Sequence, residues 1–206
     1  MSACPVDHGS SPQPPQEEKC PVDHSSSADV WKKLASSSPS PSVPLSEQRE
    51  VSSIPKDQSG NWVYPSEAQF FSAMARKQHK PQAADMKTIV PIHNAVNERA
   101  WSEIMKWEAG RGGEACGGVQ LINFKGKPGE RSPKARWKML LGYAAPFDRH
   151  DWVVDRCGVR TRYIIDFYTG RSSDQNSLSF YLDVRPALDN WEGVKMRVQH
   201  FWRRWF

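Results

Sequence analysis

The sequence predicts an α+β fold, in which several helices pack on a small antiparallel β-sheet within a single domain, preceded by a disordered N-terminal tail. Nine of the sixteen prolines lie at or before Pro55, whereas eight of the nine tryptophans follow residue 60. Beyond that point, strand-like alternation and helix-like spacing of apolar residues both occur. We therefore assign residues 1–50 to a Pro/Ser-rich tail and residues 51–206 to the folded domain.

The first helix is predicted over residues 66–78. Ser66 followed by Gln69 is a capping-box pattern, and Pro65 precedes it. Phe70 and Phe71 are then available for burial.

A second helix is predicted over residues 95–109, with Asn94 as its N-cap and Gly110 as its stop. The preceding IVPI stretch looks strand-like. In this interpretation His93 lies at a helix start rather than in an apolar stripe, and Glu98 lies one turn into the helix.

An antiparallel hairpin is predicted from residues 159–168 and 177–184, joined by the turn-like TGRSSDQN. The second strand alternates its apolar side chains on one face: Leu178, Phe180, Leu182 and Val184. The last 22 residues, RPALDNWEGVKMRVQHFWRRWF, are predicted to form an amphipathic helix. Docking on the sheet is the favoured interpretation for its apolar residues, and contact with an anionic membrane surface is the alternative.

Composition limits the function classes. The formal net charge is +5, which suits nucleic acid, anionic lipid or a carboxylate-bearing ligand. Lysine and arginine are scattered rather than clustered, which argues against a nucleic-acid binder. No apolar run is long enough for a transmembrane helix, and the first residues resemble neither a secretory signal nor an Arg-rich transit peptide.

The word CPVDH occurs twice, at residues 4–8 and 20–24. A cysteine thiolate is a good axial ligand for haem iron, and the following proline directs the chain away from it. Cys4 and Cys20 therefore indicate haem contact. Zinc binding with His8 and His24 is an alternative, and a duplicated low-complexity tail without a ligand is another.

Sequence motifs for a nucleophile elbow, a P-loop, dinucleotide binding or HExxH zinc binding are absent. The Gly-rich GRGGEACGG lacks the ending that a P-loop needs, so we interpret it as a loop. Among six histidines, His93 and His150 have the most suggestive settings. A hydrogen-bonded structural histidine is nevertheless the commoner case.

From about REVSSIP onward the chain resembles the mitochondrial holocytochrome c synthases, or cytochrome c haem lyases. The resemblance rests on NWVYPSEAQFF, PIHNAVNERAWSEIMKWE, LGYAAPFDRHDWVVDRCG, RYIIDFY and LDVRPALD, which occur in the family's order. Family members also carry Cys-Pro motifs near the N-terminus. The match is looser at residues 79–88 and at GRGGEACGG.

The resemblance implies roles for individual residues. His93 matches the axial ligand of haem iron, and Glu98 matches a residue that affects the same site. Trp62 and Pro65 match positions tied to haem and cytochrome handling. His150 matches a second histidine with a weaker role.

Three further positions come from the same resemblance. Arg156 matches a position needed for full activity. Cys4 and Cys20 match haem-binding motifs, which we expect to feed the reaction without performing it. We also expect arginines to pair with the haem propionates, with Arg149, Arg156 and Arg162 as the candidates.

The implied reaction joins haem b to apocytochrome c or c1, by adding the two thiols of a CXXCH motif across the haem vinyl groups. The implied location is the mitochondrial intermembrane space, with peripheral attachment to the inner membrane. The alternative is a haem-binding sensor or chaperone that uses its Cys-Pro motifs without catalysis.

Overall fold

The structure, a computed structural model, describes residues 43–57, 60–170 and 179–205. Within these residues the chain forms four α-helices, a two-stranded sheet and a four-stranded sheet, both antiparallel. The predicted α+β class is therefore confirmed. Most of the predicted tail lies outside the described residues, so the boundary at residue 50 stays a prediction.

The elements follow one another as two hairpin strands, two helices, a strand, a helix, three strands and a last helix. They are β1 (Val51–Asp57), β2 (Gly60–Val63), α1 (Glu67–Arg76), α2 (Met86–Glu108), β3 (Val119–Gly126), α3 (Pro133–Leu140), β4 (Asp148–Arg156), β5 (Val159–Thr169), β6 (Phe180–Pro186) and α4 (Trp191–Trp205). Strand β1 pairs with β2, and the larger sheet has the order β3-β4-β5-β6.

The larger sheet has an apolar face and a charged face, because successive side chains of a strand point to opposite sides. Helices α2 and α4 contribute to the main core on the apolar face. That core contains Ile54, Ala100, Trp101, Ile104, Val119, Leu121, Trp152, Val154, Tyr163, Ile165, Phe167, Val184 and Met196.

The opposite face carries buried ion pairs. Arg185 bonds to Asp166 at 2.5 Å, and Ser132, the N-cap of α3, bonds to the same carboxylate at 2.6 Å. Arg149 pairs with Asp151 on the same face. Each buried charge has an opposite charge beside it, which is the condition under which such burial is tolerated.

Helix α1 confirms the first predicted helix. Ser66 accepts a hydrogen bond from the Gln69 backbone, and the Gln69 side chain accepts one from the Ser66 backbone. Phe71 is buried with Ala83 and Met86 in a second, smaller core between α1 and the start of α2. The capping box therefore fixes the N-terminus of α1, which follows β2 directly.

Helix α2 starts nine residues before the predicted start, so the second predicted boundary is wrong. It includes Pro91, and Asn94 is a buried residue inside the helix rather than its N-cap. Proline removes one backbone hydrogen bond, but buried Met86, Val90 and Asn94 continue the helical period across it. Asn94 donates to Glu50 at 2.8 Å instead of capping the backbone.

The predicted hairpin is confirmed in its described part, since β5 pairs antiparallel with β6. The turn at residues 171–178, with Leu178, lies outside the described residues. Strand β6 continues to Pro186, so the last helix begins at Trp191 rather than at residue 185.

Helix α4 docks on the sheet through Met196, which is fully buried. Most of its large aromatic side chains are exposed instead: Trp191, Phe201, Trp202 and Trp205. The docked interpretation is therefore correct for the helix and wrong for its aromatic stripe. None of the described helices is long and apolar enough to cross a membrane.

The Gly-rich segment is a loop with a short 3-10 turn at Gly113–Cys116, as predicted. A disulfide joins Cys116 to Cys157 across a separation of 41 residues. It ties this loop to the turn between β4 and β5, and the sequence had given no reason to pair these two cysteines.

Candidate functional site

His93 lies inside α2, and its ring packs edge-to-face on Phe70 of α1 with a centroid distance of 5.2 Å. Burial lowers the pKa of His93 below its ordinary value, and the positive charge of His150 lowers it further. The imidazole is therefore neutral near pH 7. A neutral imidazole has a nitrogen lone pair available for a metal ion.

His150 approaches the same neighbourhood from β4. Its Nε2 lies 3.1 Å from Oδ2 of Asp148, and its ring contacts Phe167 edge-to-face at 5.0 Å. Burial raises the pKa of Asp148, but the hydrogen bond and charge of His150 outweigh burial and lower it overall. The carboxylate thus stays ionised and fixes the ring of His150.

Strand register brings Gly126 opposite His150. A Cβ at position 126 would lie 3.4 Å from Nε2 of His150. The glycine therefore leaves space for the ring, and a larger side chain at this position would crowd it.

Aromatic rings extend outward from the two histidines. Phe147 is 54% exposed, and its ring lies 6.2 Å from Phe167 and 6.0 Å from Phe180. Large exposed aromatic side chains mark a binding surface. These rings provide an apolar wall beside His150.

Trp62 lies on the neighbouring hairpin. Its Nε1 donates to the Leu121 carbonyl at 3.0 Å, and its ring meets Phe124 edge-to-face at 5.3 Å. Phe124 pairs with Trp152 across β3 and β4, two residues from the pair of Gly126 and His150. Through Phe124, Trp62 therefore lies on the face of the sheet that carries His150.

Pro65 directly precedes Ser66, the N-cap of α1. It is half-buried at the junction between β2 and α1. Since α1 carries Phe70, Pro65 affects the histidine neighbourhood through the position of that helix.

Glu98 has partners other than His93. It accepts hydrogen bonds from the Ser53 backbone at 3.0 Å, from the Ser53 hydroxyl and from the Tyr64 hydroxyl at 2.9 Å. Burial and the Glu98 hydrogen bond raise the pKa of Tyr64. Glu98 therefore ties α2 to β1 and β2.

Arg156 lies at the far end of β4. Its guanidinium bonds to Glu108 at 2.5 Å and to Glu192 at 2.6 Å, and the Tyr163 hydroxyl donates to the same Glu108. Burial lowers the pKa of Arg156, but the two carboxylates outweigh burial and raise it overall. This network joins α2, β4, β5 and α4.

Arg149 and Arg162 point away from the histidines. Arg149 neighbours His150 in sequence, so it occupies the opposite face of the sheet. It pairs with Asp151, and Arg162 pairs with both Asp151 and Asp189 at 2.7 Å. Protein carboxylates already hold both guanidinium groups, so we do not retain them as propionate partners.

The family model for cytochrome c/c1 heme lyase matches residues 1–201. The chain belongs to this family. A putative holocytochrome-c1 synthase of Chaetomium thermophilum is 57% identical over 164 residues, which are 75% of this chain and 55% of that protein.

Two vertebrate relatives of this heme lyase family member carry the name holocytochrome c-type synthase. The Gallus gallus protein is 48% identical over 174 residues, or 82% of this chain and 64% of that protein. The Homo sapiens protein is 47% identical over 175 residues, or 81% of this chain and 65% of that protein. The chain thus spans less than two thirds of each of these three relatives. No solved structure matches it.

The structure brings together only some of the residues that the family resemblance indicated. His93 and His150 share one neighbourhood, which Trp62 borders, whereas Glu98 and Arg156 belong to separate networks. Cys4 and Cys20 lie outside the described residues. In the described ranges, no group of three or more His, Cys, Asp or Glu side chains is arranged to hold a metal ion.

Sequence reasoning had missed the residues that complete this neighbourhood. Asp148, Gly126, Phe70, Phe147 and Phe167 all contact or border the two histidines. The alternation of DRHDWVV was a usable strand signal for β4, and it would have placed Asp148 on the same face as His150.

Proposed function

We propose that this protein is a holocytochrome c-type synthase that binds haem b and attaches it to apocytochrome c or c1. One structural observation supports the proposal beyond family membership. Neutral His93 from α2 and Asp148-bound His150 from β4 converge beside exposed aromatic rings. Haem, the substrate, has an iron that accepts imidazole ligands and a broad apolar face.

His93 is the proposed axial ligand on one face of the haem iron. Its half-buried, neutral imidazole suits that role, because no proton must leave before the nitrogen binds iron. The Phe70 contact holds the ring in place. His150 and Asp148 form the proposed second part of the site, where the aromatic wall packs against the porphyrin.

The reaction adds each cysteine S–H of the CXXCH motif across a haem vinyl group. Sulfur bonds to one vinyl carbon and the thiol hydrogen ends on the other, so the addition needs no oxidant or reductant. The histidine of the motif would ligate the open face of the iron and bring both thiols beside the vinyl groups. Holding the reactants in this geometry is the main catalytic contribution that we propose.

The proposed partners are haem and an apocytochrome c or c1, and no nucleic acid. The proposed location is the mitochondrial intermembrane space, with peripheral attachment to the inner membrane. Cys4 and Cys20 would contact haem on the tail and raise its concentration near His93.

Co-expression with an apocytochrome c, in a bacterium without its own maturation system, tests this function. Covalent haem is read on the cytochrome after denaturing electrophoresis. We expect wild type and a Cys4→Ala/Cys20→Ala double variant to attach haem, and His93→Ala to attach none. If wild type attaches none while the purified protein carries haem through Cys4 and Cys20, the haem-sensor alternative replaces the synthase.

A further inference from the structure

The outward side of α4 carries apolar side chains that are exposed in the described structure. Trp191 is 78% exposed and Trp205 is 68% exposed, and Val198, Phe201 and Trp202 are also exposed. At 100° per residue, these five positions fall on one arc of the helix, opposite buried Met196. An outward aromatic arc of this kind calls for a covering partner.

A basic cleft of about 480 Å³ runs along one flank of this arc. Its cationic side chains are Arg111, Arg156, Lys195 and Arg203, and its one carboxylate is Glu192. Glu192 is already engaged, since it bonds to Arg156 at 2.6 Å and lies 3.9 Å from Arg111. The cleft therefore has an excess of positive charge.

Lys195 and Arg203 supply the available charge. Neither has a carboxylate partner within 4.0 Å among the described residues. At 100° per residue Lys195 lies beside the aromatic arc, whereas Arg203 lies farther round the helix, on the side that lines the cleft. Lys195 therefore lies at the boundary between the apolar side chains and the cleft, and Arg203 lies within the cleft lining.

We propose that α4 is the membrane-contact element, and that the cleft beside it holds the phosphate of an anionic phospholipid headgroup. The ligand is a lipid in a bilayer surface. Trp191, Trp202 and Trp205 would enter the interfacial layer, where tryptophan is favoured, while Lys195 and Arg203 would meet the phosphates. This inference specifies the surface used by the proposed membrane attachment, and it does not depend on haem attachment.

Charge and residue type favour lipid over the other occupants of such a face. A second copy of this chain would bring the same cations to the contact, where they would repel. Free phosphate would satisfy the cleft but leave the aromatic arc uncovered. An anionic bilayer satisfies both features with one partner.

Flotation with lipid vesicles tests the proposal on the full chain. We expect the protein to bind phosphatidylcholine vesicles that contain about 30% phosphatidylglycerol, an anionic content on the order of that of cellular membranes. We expect little binding to vesicles of pure phosphatidylcholine. Lys195→Gln/Arg203→Gln should weaken binding by about 30-fold, since each basic residue near an anionic surface contributes roughly fivefold. Trp202→Ala/Trp205→Ala should also weaken binding to the anionic vesicles.

The matched control is Lys87→Gln/Lys125→Gln, which removes the same charge from two exposed positions on other elements. It should bind anionic vesicles within about twofold of wild type, because charges farther than a Debye length are screened. Circular dichroism confirms that each variant is folded.

Three results would overturn the proposal. The Lys195/Arg203 variant could bind vesicles as well as wild type does. The protein could bind inorganic phosphate in solution and no vesicles, which would identify a free-phosphate site. Sedimentation could show self-association that Trp202→Ala/Trp205→Ala abolishes, without vesicle binding, which would identify a second copy as the occupant.

Covalent haem attachment in the co-expression assay is measured separately, so failure of one proposal is distinguishable from failure of the other.

Discussion

His150 and Arg156 lie near the two ends of strand β4, on the same face of the sheet, but their surroundings differ. His150 is near the start of the strand, beside exposed Phe147 and a neutral His93. Arg156 is at the end, about 20 Å away at the usual rise per residue. There its guanidinium is held by Glu108 and Glu192, and Tyr163 completes the network.

We propose that this difference separates a ligand-binding end of β4 from a structural end. At the His150 end, the chain leaves an imidazole lone pair and an apolar wall available to a ligand. At the Arg156 end, the guanidinium group is already bonded to carboxylates of the protein, and this network joins α2, β4, β5 and α4. A residue whose loss impairs activity can therefore lie at either end, for different physical reasons.

Replacing His93 should give the largest effect on activity. We expect His93→Ala to lower covalent haem attachment by on the order of 100-fold or more, because ligand loss removes the positioning of the iron. The yield of holocytochrome per folded molecule is the measurement. His79→Ala is the matched control, since His79 is exposed; equal losses in both variants would remove His93 from the site.

Replacing Arg156 should give the largest effect on stability. Arg156→Gln leaves Glu108 buried without its charged partner, which typically costs about 3–5 kcal/mol of the free energy of unfolding. Urea denaturation measures the change. Arg160→Gln is the control, because its side chain is 70% exposed and its pair with Asp155 is long, at 3.5 Å; we expect a change within about 0.5 kcal/mol.

Asp148 should give an intermediate effect confined to the histidine end. Asp148→Asn keeps the shape of the side chain but removes the charge that holds His150, so we expect about a tenfold loss of haem attachment with little loss of stability. The Soret spectrum of the haem-loaded protein reports whether ligation changes. A spectrum and yield identical to wild type would show that the pair has no part in the site.

The smallest expected effect is a pH dependence of folding. The pKa of His93 is lowered in the folded protein, so the unfolded chain binds more protons as the pH falls below about 6.5. The contribution of His93 to stability should therefore be constant above pH 7 and decrease toward pH 5.5. Comparing the free energy of unfolding of wild type and His93→Gln at pH 7.5 and pH 5.5 measures it.

In the pH comparison, wild type should lose stability relative to His93→Gln at the lower pH. A difference between the two proteins that does not change with pH would mean that His93 titrates as it does in the unfolded chain. The environment described for the histidine end would then be wrong.

Local signals predicted much of the fold, and long-range pairing explains most of what they missed. The Ser66 capping box and the β5–β6 hairpin depend on neighbours in sequence, so both could be predicted. The strand-like IVPI and the N-cap candidate Asn94 misled the prediction of where α2 starts, whereas buried Met86, Val90 and Asn94 continue the helical period across Pro91.

The candidate site was predicted residue by residue but not as an arrangement. The family resemblance indicated His93 and His150, and only the electrostatic influence of each on the same surroundings in the folded chain shows that they lie near each other. The same packing separates Glu98 and Arg156 from them, since these two bond to Tyr64 and to Glu108. Spacing along the chain carries no information about such distances.

The most direct measurement is a paired assay of His150→Ala and Arg156→Gln, in which haem attachment per folded molecule and urea stability are determined on the same preparations. We predict that His150→Ala keeps its stability and loses attachment, whereas Arg156→Gln loses stability and keeps most attachment per folded molecule. A stable Arg156→Gln that attaches no haem would contradict the division between the two ends of β4.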